Sequence, residues 1–499
     1  MTKNKKIEKK KIKKVMKVKN KKSEVRKSSP QREIKKEVKE EKVEKNEDGF
    51  EQDTSLKGGK GKTPSLLRGM KDILPKEESY WKKIYHTAED IAEAYGYGYL
   101  ETPVMEDAAL FVRSLGKGTD VIEKEMYVFE DKDGSKVALR PEMTASAARA
   151  YIMHGMHSYP QPVKMWYFGS MFRHDRPQAG RYRQFHQFGC ETFGDRDPVI
   201  DAELIVVAFN LLNDLGIKST VYINSIGNLE DRQRYIVELV GYLRAKRSYL
   251  CEDCKKRLVK NPLRVLDCKQ EECRPVIEEA PQIIDWLSEQ SRTYFMKVLE
   301  YLDELEVPYV LKPTLVRGLD YYTDTVFELY KDEETGKEKE GEATIEGRQT
   351  ALGGGGRYDL LVEQLGGQAT PGCGFSLGVE RVISALRKQN EEQGKTMEEP
   401  RSKIFFAQLG EQARRKALGL IENLRKSGIK VYHNLGKSAL KGQMELADKY
   451  KVLYTLILGQ KEVQDGTVII RDMESGIQEI VDQKKLKQQL EKKLLNLTK

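Results

Sequence analysis

The sequence lacks any apolar run that approaches the ~18 residues of a membrane-spanning helix, and only six of its 499 residues are cysteine. The first absence predicts a chain with no membrane span. The second argues against a disulfide scaffold, because such scaffolds are dense in cysteine. The charged N-terminus also lacks the apolar core of a signal peptide. We therefore expect a soluble, cytoplasmic protein that is long enough for two or three domains.

Positive charge is concentrated at one end of the chain. Residues 1–45 contain 20 Lys/Arg and 7 Glu, a local balance of +13, whereas the remainder contains 67 basic and 71 acidic residues, a balance of −4. We predict that residues 1–60 form a Lys/Glu-rich tail that is disordered or loosely helical. Such a polycation either raises affinity for a polyanion without reading its sequence or serves solubility.

The remainder of the sequence divides into two globular parts. The sequence of residues 61–400 predicts mixed strands and helices, with a largely helical segment at about 229–312. A polar stretch, EEQGKTMEEPRS, then separates this part from residues 401–499. The last part alternates strand and helix, which predicts a small α/β domain with a mostly parallel sheet.

Residues 172–191 combine basic, aromatic and acidic side chains around a Pro/Gly loop. Strand-like alternation on both sides of the loop predicts an antiparallel hairpin with a basic tip that includes Arg173 and Arg181. A side-chain period of two places Phe185, Gln187 and Glu191 on one face of the second strand. An aromatic plate, an amide and a carboxylate beside cations suit a site for a nucleotide and a small polar molecule.

Further candidate residues lie in three separate segments. Glu142 and Thr144 offer acceptors for an ammonium group, although these residues taken alone favour the common arrangement of a capping carboxylate at a helix start, with Thr144 as N-cap. Arg317 precedes Tyr321 and Tyr322, which suit a core or a ligand, and a buried arginine needs an anionic partner. Arg381 begins a helix after a glycine-rich strand and is a second candidate phosphate clamp.

The glycine run LGGGGRYDLL, residues 352–361, fits neither the phosphate loop that ends in Gly-Lys-Ser/Thr nor the dinucleotide fingerprint. Its four consecutive glycines still allow a ligand to approach the backbone closely.

Four of the six cysteines are close in sequence. Cys251, Cys254, Cys268 and Cys273 form C-x2-C-x13-C-x4-C, which is close to the spacing of a structural zinc site. The second pair is looser than usual, and the intervening segment lacks the turn residues of a tight knuckle. The sequence therefore favours reduced free thiols over zinc.

In combination, these segments resemble the histidyl-tRNA synthetases, a family of class II aminoacyl-tRNA synthetases. The segments RGMKDILP, TPVMED, LRPEMTA, RGLDYYTDTVFEL, LGGGGRYD and GFSLGVERV occur in the family's order, and the basic hairpin resembles class II motif 2. The resemblance runs from about Leu67 to the C-terminus. Met143 departs from the commoner LRPEGTA form, and we interpret it as a packing change beside the pocket.

The resemblance implies an α+β fold. Its catalytic domain, residues 61–400, would contain a six-stranded antiparallel sheet flanked by helices, with the helical insertion at about 229–312. Residues 401–499 would be an α/β anticodon-binding domain. The resemblance also implies a homodimer that uses Mg²⁺ with ATP to attach L-histidine to tRNA(His) through histidyl-adenylate.

By carry-over from the family, Arg173 and Arg317 are catalytic and bracket the α-phosphate of ATP. Arg181, Phe185 and Arg381 complete the ATP site, with Arg381 on the γ-phosphate and, together with Phe185, against the adenine. The implied histidine-binding residues are Glu142, Thr144, Gln187, Glu191, Tyr321 and Tyr322. Two alternatives stay open: a non-catalytic paralogue such as the regulatory subunit of ATP phosphoribosyltransferase, and an RNA-binding translation-control module.

Overall fold

The structure is a computed structural model that describes residues 64–116, 118–175, 181–332, 351–394 and 402–495. The predicted tail, residues 1–60, lies outside the described residues, as does most of the polar stretch between the two globular parts. Among the described helices, none combines the length and the apolar character needed to cross a membrane.

Fourteen α-helices are found in the described residues. In chain order they are α1 (Glu78–Ala94), α2 (Ala108–Leu115), α3 (Thr144–Met153), α4 (Pro198–Asp214), α5 (Leu229–Ala245), α6 (Glu252–Lys260), α7 (Arg274–Glu278), α8 (Glu289–Glu304), α9 (Leu361–Gln364), α10 (Val379–Glu392), α11 (Glu411–Lys426), α12 (Leu440–Lys449), α13 (Gln460–Asp465) and α14 (Leu486–Leu495).

Sixteen strands accompany them within the same residues. In chain order they are β1 (Gly98–Tyr99), β2 (Met105–Asp107), β3 (Val128–Glu130), β4 (Lys136–Leu139), β5 (Val163–Phe172), β6 (Gln184–Phe193), β7 (Ser219–Ser225), β8 (Tyr309–Leu311), β9 (Thr323–Lys331), β10 (Gly353–Arg357), β11 (Gly372–Gly378), β12 (Ile404–Gln408), β13 (Tyr432–His433), β14 (Tyr454–Leu458), β15 (Thr467–Asp472) and β16 (Gln478–Asp482).

The largest sheet has the strand order β1-β5-β6-β11-β10-β9-β7-β8. Its six central strands, β5 to β7 in that order, are all antiparallel to their neighbours, and the short edge strands β1 and β8 pair in parallel. The predicted α+β class with a six-stranded antiparallel sheet is therefore confirmed. A separate small sheet, β2-β4-β3, is antiparallel throughout.

Apolar side chains cover both faces of the large sheet. On one face, α1, α4, α8 and α10 pack against strand residues such as Phe188 and Phe375. On the other face, α2, α3, α5 and α6 surround a second cluster that includes Tyr322 and Tyr358. The second face carries the candidate functional residues, because alternate residues of each strand point to opposite sides.

Local sequence explains where the central helix α4 begins. Asp197 accepts a hydrogen bond from the backbone N–H of Val199 at 3.0 Å, and Pro198 occupies the first turn. An aspartate cap followed by proline is the arrangement that a helix N-terminus favours.

Helices α5 to α8, joined by short helical turns, occupy most of the segment at about 229–312, where the sequence predicts a helical insertion. Helices α5 to α7 pack into the same apolar cluster as α2 and α3, whereas α8 packs on the other face of the sheet. This insertion lies between β7 and β8 in the chain.

The C-terminal part forms a five-stranded sheet of order β13-β12-β14-β15-β16. The expected mostly parallel sheet is realised only in its first three strands, because β14, β15 and β16 are antiparallel. The reason is the length of the connections: residues 459–466 and 473–477 are shorter than the dozen or so residues that a parallel crossover requires.

Candidate active site

The hairpin of β5 and β6 forms the centre of the candidate site. Its strands pair over ten residues from Val163↔Phe193 to Phe172↔Gln184, so the predicted antiparallel hairpin is confirmed. Phe188 belongs to the apolar cluster on one face of the sheet, whereas Phe185 packs beside Met143, Tyr167 and Met171 on the other. Alternation along β6 therefore separates core residues from candidate site residues, as the sequence predicts.

Glu191 lies at the floor of the site and is completely buried. Its carboxylate accepts hydrogen bonds from the hydroxyls of Thr144 at 2.7 Å, Tyr167 at 3.3 Å and Tyr358. Burial raises the pKa of Glu191 to about 8, and these hydrogen bonds only partly oppose the rise. The carboxyl group is therefore poised near neutral pH beside whatever ligand fills the pocket.

Glycine makes room for this carboxylate. A Cβ atom at Gly374, the residue that pairs with Glu191 on β11, would lie 1.8 Å from Glu191 Oε2. A Cβ at Gly189 would lie 2.4 Å from the Tyr167 hydroxyl. These two positions keep the pocket floor flat, because any larger residue would displace Glu191 or Tyr167.

The glycine run in β10 extends the same floor. Gly356 and Gly354 pair with Gly374 and Ser376 of β11 and share their face. A Cβ at Gly354 would lie 2.8 Å from Arg317 Nη1, and one at Gly356 would lie 3.0 Å from the ring of Tyr322. The run thus gives space to the side chains of the neighbouring Arg317–Tyr322 segment.

Glu142 caps helix α3. Its Oε2 and Oε1 accept hydrogen bonds from the backbone N–H groups of Thr144 at 2.8 Å and Ala145 at 2.9 Å. The prediction that Thr144 caps this helix is wrong, since the N-cap position is Met143 and the Thr144 hydroxyl donates to Glu191 instead. Burial raises the pKa of Glu142, and the Tyr321 hydroxyl lies 3.5 Å from its Oε2.

Gln187 presents an unfilled acceptor to the pocket. Its Nε2 donates to the Ser376 hydroxyl at 3.2 Å, which fixes the amide orientation. Its Oε1 is buried and has no hydrogen-bond partner among the described residues. An orphaned buried acceptor costs free energy, so this oxygen is suited to a donor that a ligand supplies.

Tyr321 and Tyr322 are both buried beside Tyr358. The ring centroid of Tyr321 lies 4.6 Å from that of Tyr322 and 5.6 Å from that of Tyr358. The guanidinium of Arg317 lies 5.7 Å from the Tyr322 ring centroid and forms an ion pair with Glu328. This partly buried arginine thus has an anionic partner within the protein.

Four arginines from three segments converge at the other end of the site. The pKa of Arg381 falls to about 10. Burial is the main cause, because it disfavours the charged form, and repulsion from Arg181, Arg173 and Arg317 contributes to the same decrease. Arg381 donates to the Ala351 carbonyl at 2.8 Å and has no carboxylate partner among the described residues. Mutually repelling cations of this kind are a site for a polyanion.

Phe185 lies next to this cationic end. The guanidinium of Arg173 stands 5.5 Å from the Phe185 ring centroid, and Arg173 Nε donates to the Pro141 carbonyl at 2.8 Å. Arg181 is paired with Asp175 at 2.7 Å. Among the described residues, the cation over the aromatic plate is therefore Arg173.

Met143 lies beside the pocket, as the sequence predicts. It is buried with Tyr167 and Met171, and its sulfur accepts a hydrogen bond from the Thr102 hydroxyl at 3.4 Å. A packing role explains the residue without any contact to a ligand.

Sequence reasoning missed the two tyrosines that hold Glu191. Tyr358 lies two residues after the last of the four glycines, and Tyr167 alternates with the core residue Trp166 on β5. The alternation on β5 is a local signal that could have placed Tyr167 on the pocket face. Tyr358 reaches Glu191 only through the strand order β6-β11-β10, which the sequence does not reveal.

Comparison with known proteins places these features in one family. A family model described as histidyl-tRNA synthetase matches residues 69–229 and 257–382, and one described as an anticodon binding domain matches residues 403–493. The first match omits residues 230–256, which include Cys251 and Cys254.

Relatives match over most of their length. The histidine–tRNA ligases of Dehalococcoides mccartyi and Halothermothrix orenii are 44% and 45% identical to the chain, over 82% of it and 94% and 95% of theirs. The crystal structure of apo histidyl-tRNA synthetase from S. aureus is similar with a TM-score of 0.69 at 35% identity, covering 85% of this chain and 99% of that one.

Proposed function

The chain belongs to the histidyl-tRNA synthetase family, and on that premise we propose that it attaches L-histidine to tRNA(His) in an ATP-dependent reaction. Histidine and ATP first form histidyl-adenylate and pyrophosphate, and the terminal adenosine 3′-hydroxyl of the tRNA then takes the histidyl group. The observation that carries this proposal is the pairing of a cationic end with a carboxylate-and-tyrosine pocket on one sheet face.

The first step requires positioning more than proton transfer. A carboxylate is already ionised at neutral pH, so the histidine carboxylate attacks the α-phosphorus in line without a general base. Arg173 and Arg317 would bracket the α-phosphate and stabilise the charge that develops on its oxygens. The fixed contacts of Arg173 with Pro141 and of Arg317 with Glu328 support this role, because both guanidinium groups are held before the nucleotide arrives.

The remaining cations would neutralise the leaving pyrophosphate. Arg381 would bind the γ-phosphate, and Arg181 the distal phosphates, while Phe185 would stack on the adenine. Mg²⁺ enters this scheme as the counterion of ATP and thus as part of the substrate. Arg381 has no carboxylate partner in the part of the chain that the structure describes, which supports the assignment, since the phosphates would supply the counter-charge.

Recognition of histidine would rest on two sets of polar groups. Glu191 and Tyr322 would face the two imidazole nitrogens, while Glu142 and the orphan oxygen of Gln187 would accept from the α-ammonium group. Thr144 and Tyr321 would act mainly by orienting the two glutamates. An amino acid with an apolar side chain would leave Glu191 without its ligand partner and would be rejected.

Histidine-dependent exchange of pyrophosphate into ATP tests the enzymatic proposal. We expect exchange with histidine and at least ~10⁴-fold less with phenylalanine, which cannot satisfy buried polar groups. A regulatory subunit of ATP phosphoribosyltransferase or a non-catalytic RNA-binding module would show no exchange at all. Absence of exchange from folded protein would therefore reject the synthetase function in favour of these alternatives.

Domain roles, assembly and location follow from the same premise. We assign catalysis to residues 61–400, anticodon binding to residues 401–499 and auxiliary tRNA attraction to the basic tail, residues 1–60. As a translation enzyme, the protein would work in the cytoplasm.

A homodimer is the assembly that we propose. Exposed apolar side chains at the start of the described chain and on the small sheet support it, because exposed apolar surface is typical of interfaces. These residues are Leu66, Leu67, Ile73, Leu74, Val128 and Phe129. Light scattering during size-exclusion chromatography would give twice the mass of 57.3 kDa, and a monomeric mass would reject the dimer.

A further inference from the structure

We propose that Cys251, Cys254, Cys268 and Cys273 bind one Zn²⁺ ion that fixes the fold of the helical insertion. The four sulfur atoms come from three separate segments and all lie within 4.8 Å of one another. The Sγ atoms of Cys251 and Cys268 are 3.8 Å apart. Tetrahedral zinc with Zn–S bonds of ~2.3 Å separates its sulfurs by roughly 3.8 Å, so the cluster has the dimensions of a Cys₄ site.

The backbone around the cluster favours thiolates. The N–H of Cys251 donates to the Cys273 sulfur at 3.2 Å, and the N–H of Cys254 donates to the Cys251 sulfur at 3.4 Å. Such donors to ligating sulfur are typical of the outer shell of a metal site. Cys251 and Cys268 are half-buried, which leaves an entry path for the ion, whereas Cys254 and Cys273 face the apolar core.

The structure also removes one of the two reasons for which the sequence favours free thiols. The loose spacing between Cys268 and Cys273 is closed by a helical turn, Glu271–Cys273, at the start of α7. The other two cysteines, Cys190 and Cys373, are buried in the large sheet and do not join the cluster. Convergence is therefore confined to the four residues whose spacing approaches a zinc motif.

The segment between Cys254 and Cys268 contacts residues outside the insertion. Arg257 pairs with Asp120 at 3.0 Å, and Asn261 Nδ2 donates to Asp320 at 2.8 Å. Asp320 directly precedes Tyr321 and Tyr322. Because α6 begins at the cluster and ends beside Asn261, zinc would hold the helix that braces the candidate histidine-binding segment.

Metal analysis of the full-length protein, purified without chelator under reducing conditions, tests the proposal. We expect about one zinc per chain. After removal of zinc, titration with Co²⁺ should produce thiolate-to-cobalt charge-transfer absorption that saturates at one equivalent. We expect Cys268→Ser to weaken metal binding at least 10-fold, whereas Cys190→Ala should retain the zinc of the wild-type protein.

The cobalt titration of the wild-type chain decides the question even where a variant fails to fold. A metal-free, reduced and folded chain that gives no charge-transfer absorption would overturn the proposal. Equal affinity for Co²⁺ in wild type and Cys268→Ser would also overturn it, since the ion would then be bound elsewhere. Chelation should lower the melting temperature of the wild type, because the ion binds only the folded chain.

Discussion

The two ends of the candidate site differ in whether the protein itself provides polar or charged partners for their ionisable side chains. At the carboxylate end, each oxygen of Glu142 and Glu191 accepts hydrogen bonds from the protein, and burial raises the pKa of both groups. At the arginine end, Arg381 has no carboxylate partner among the described residues and is repelled by its neighbours. Charge that the protein does not neutralise indicates where the ligand must bring the opposite charge.

A third arrangement shows what a purely structural arginine looks like. Arg357 is completely buried and is bound by Asp201 at 3.0 Å and Asp359 at 2.9 Å. Its charge is balanced within the protein, as in most buried ion pairs. Arg357 thus differs from Arg381, because two carboxylates neutralise its charge, whereas Arg381 bonds to the Ala351 carbonyl and has no carboxylate partner among the described residues.

The largest effect should come from removing a cation at the reacting phosphate. We expect Arg317→Ala to lower kcat for histidine-dependent pyrophosphate exchange by ~10²- to 10³-fold, which is typical for loss of one transition-state donor. Arg234→Ala, an exposed change on α5, serves as the matched control and should stay near wild type. Near wild-type exchange by Arg317→Ala would show that the cationic end does not stabilise the reacting phosphate.

A smaller effect should follow from crowding the carboxylate end. Gly374→Ala would place a methyl group 1.8 Å from Glu191 Oε2, and overpacking of this kind costs about 1–3 kcal/mol. We expect kcat/KM for histidine to fall about 10- to 100-fold, with less change in KM for ATP. Gly419→Ala on α11, where the added methyl group would meet no described atom within 4 Å apart from its own helix and chain neighbours, should leave both constants unaltered. Equal losses for histidine and ATP would contradict the division of the site into two ends.

The pH dependence should expose the titration of Glu191. The free carboxyl holds its proton below about pH 8, and free imidazole loses its proton above ~6.5. If the complex shares one proton between them, kcat/KM for histidine rises to a maximum between these values and falls about tenfold per pH unit beyond them.

Glu191→Gln should remove the falling limb near pH 8 and keep the rising one, because glutamine does not titrate. Titratable groups that face Glu191 are Glu142, Tyr167 and Tyr358, and burial raises the pKa of each. Persistence of the limb near pH 8 in Glu191→Gln would assign it to another group.

The smallest effect on adenylate formation should come from changes in the basic N-terminal tail, residues 1–60. Deleting residues 1–60 removes the basic tail, so we expect unchanged pyrophosphate exchange but weaker tRNA binding with a flatter salt dependence. A tail of scrambled sequence and identical composition should restore binding if attraction is electrostatic. An unchanged salt slope after deletion would mean that the tail does not contact tRNA.

Local periodicity explains the parts of the site that the sequence predicts correctly. The hairpin and the faces of β6 follow from a side-chain period of two, which needs no knowledge of distant strands. The role of Thr144 was harder to predict, because the side chain of either Thr144 or Glu142 can accept hydrogen bonds from the first N–H groups of α3. The buried Glu191 decides between them, because it accepts a hydrogen bond from the Thr144 hydroxyl.

Long-range pairing explains the parts that it does not predict. Tyr358 and Gly374 meet Glu191 because β10 and β11 lie beside β6, although more than 160 residues separate Tyr358 from Glu191 along the chain. The cysteine cluster is similar, since its four sulfurs converge only once the insertion has folded. Spacing alone could not show that convergence.

Because one face of β6 is apolar and the other is polar, the strand tolerates few changes in its length. Phe188 and Cys190 point into one core, whereas Gln187 and Glu191 point into the pocket. Deleting a single codon within the strand would exchange the two sets, burying an amide and a carboxylate among apolar residues. Natural length variation in this hairpin should therefore occur at its tip or in steps of two residues, and sequencing of functional variants from a random-deletion library would reveal that parity.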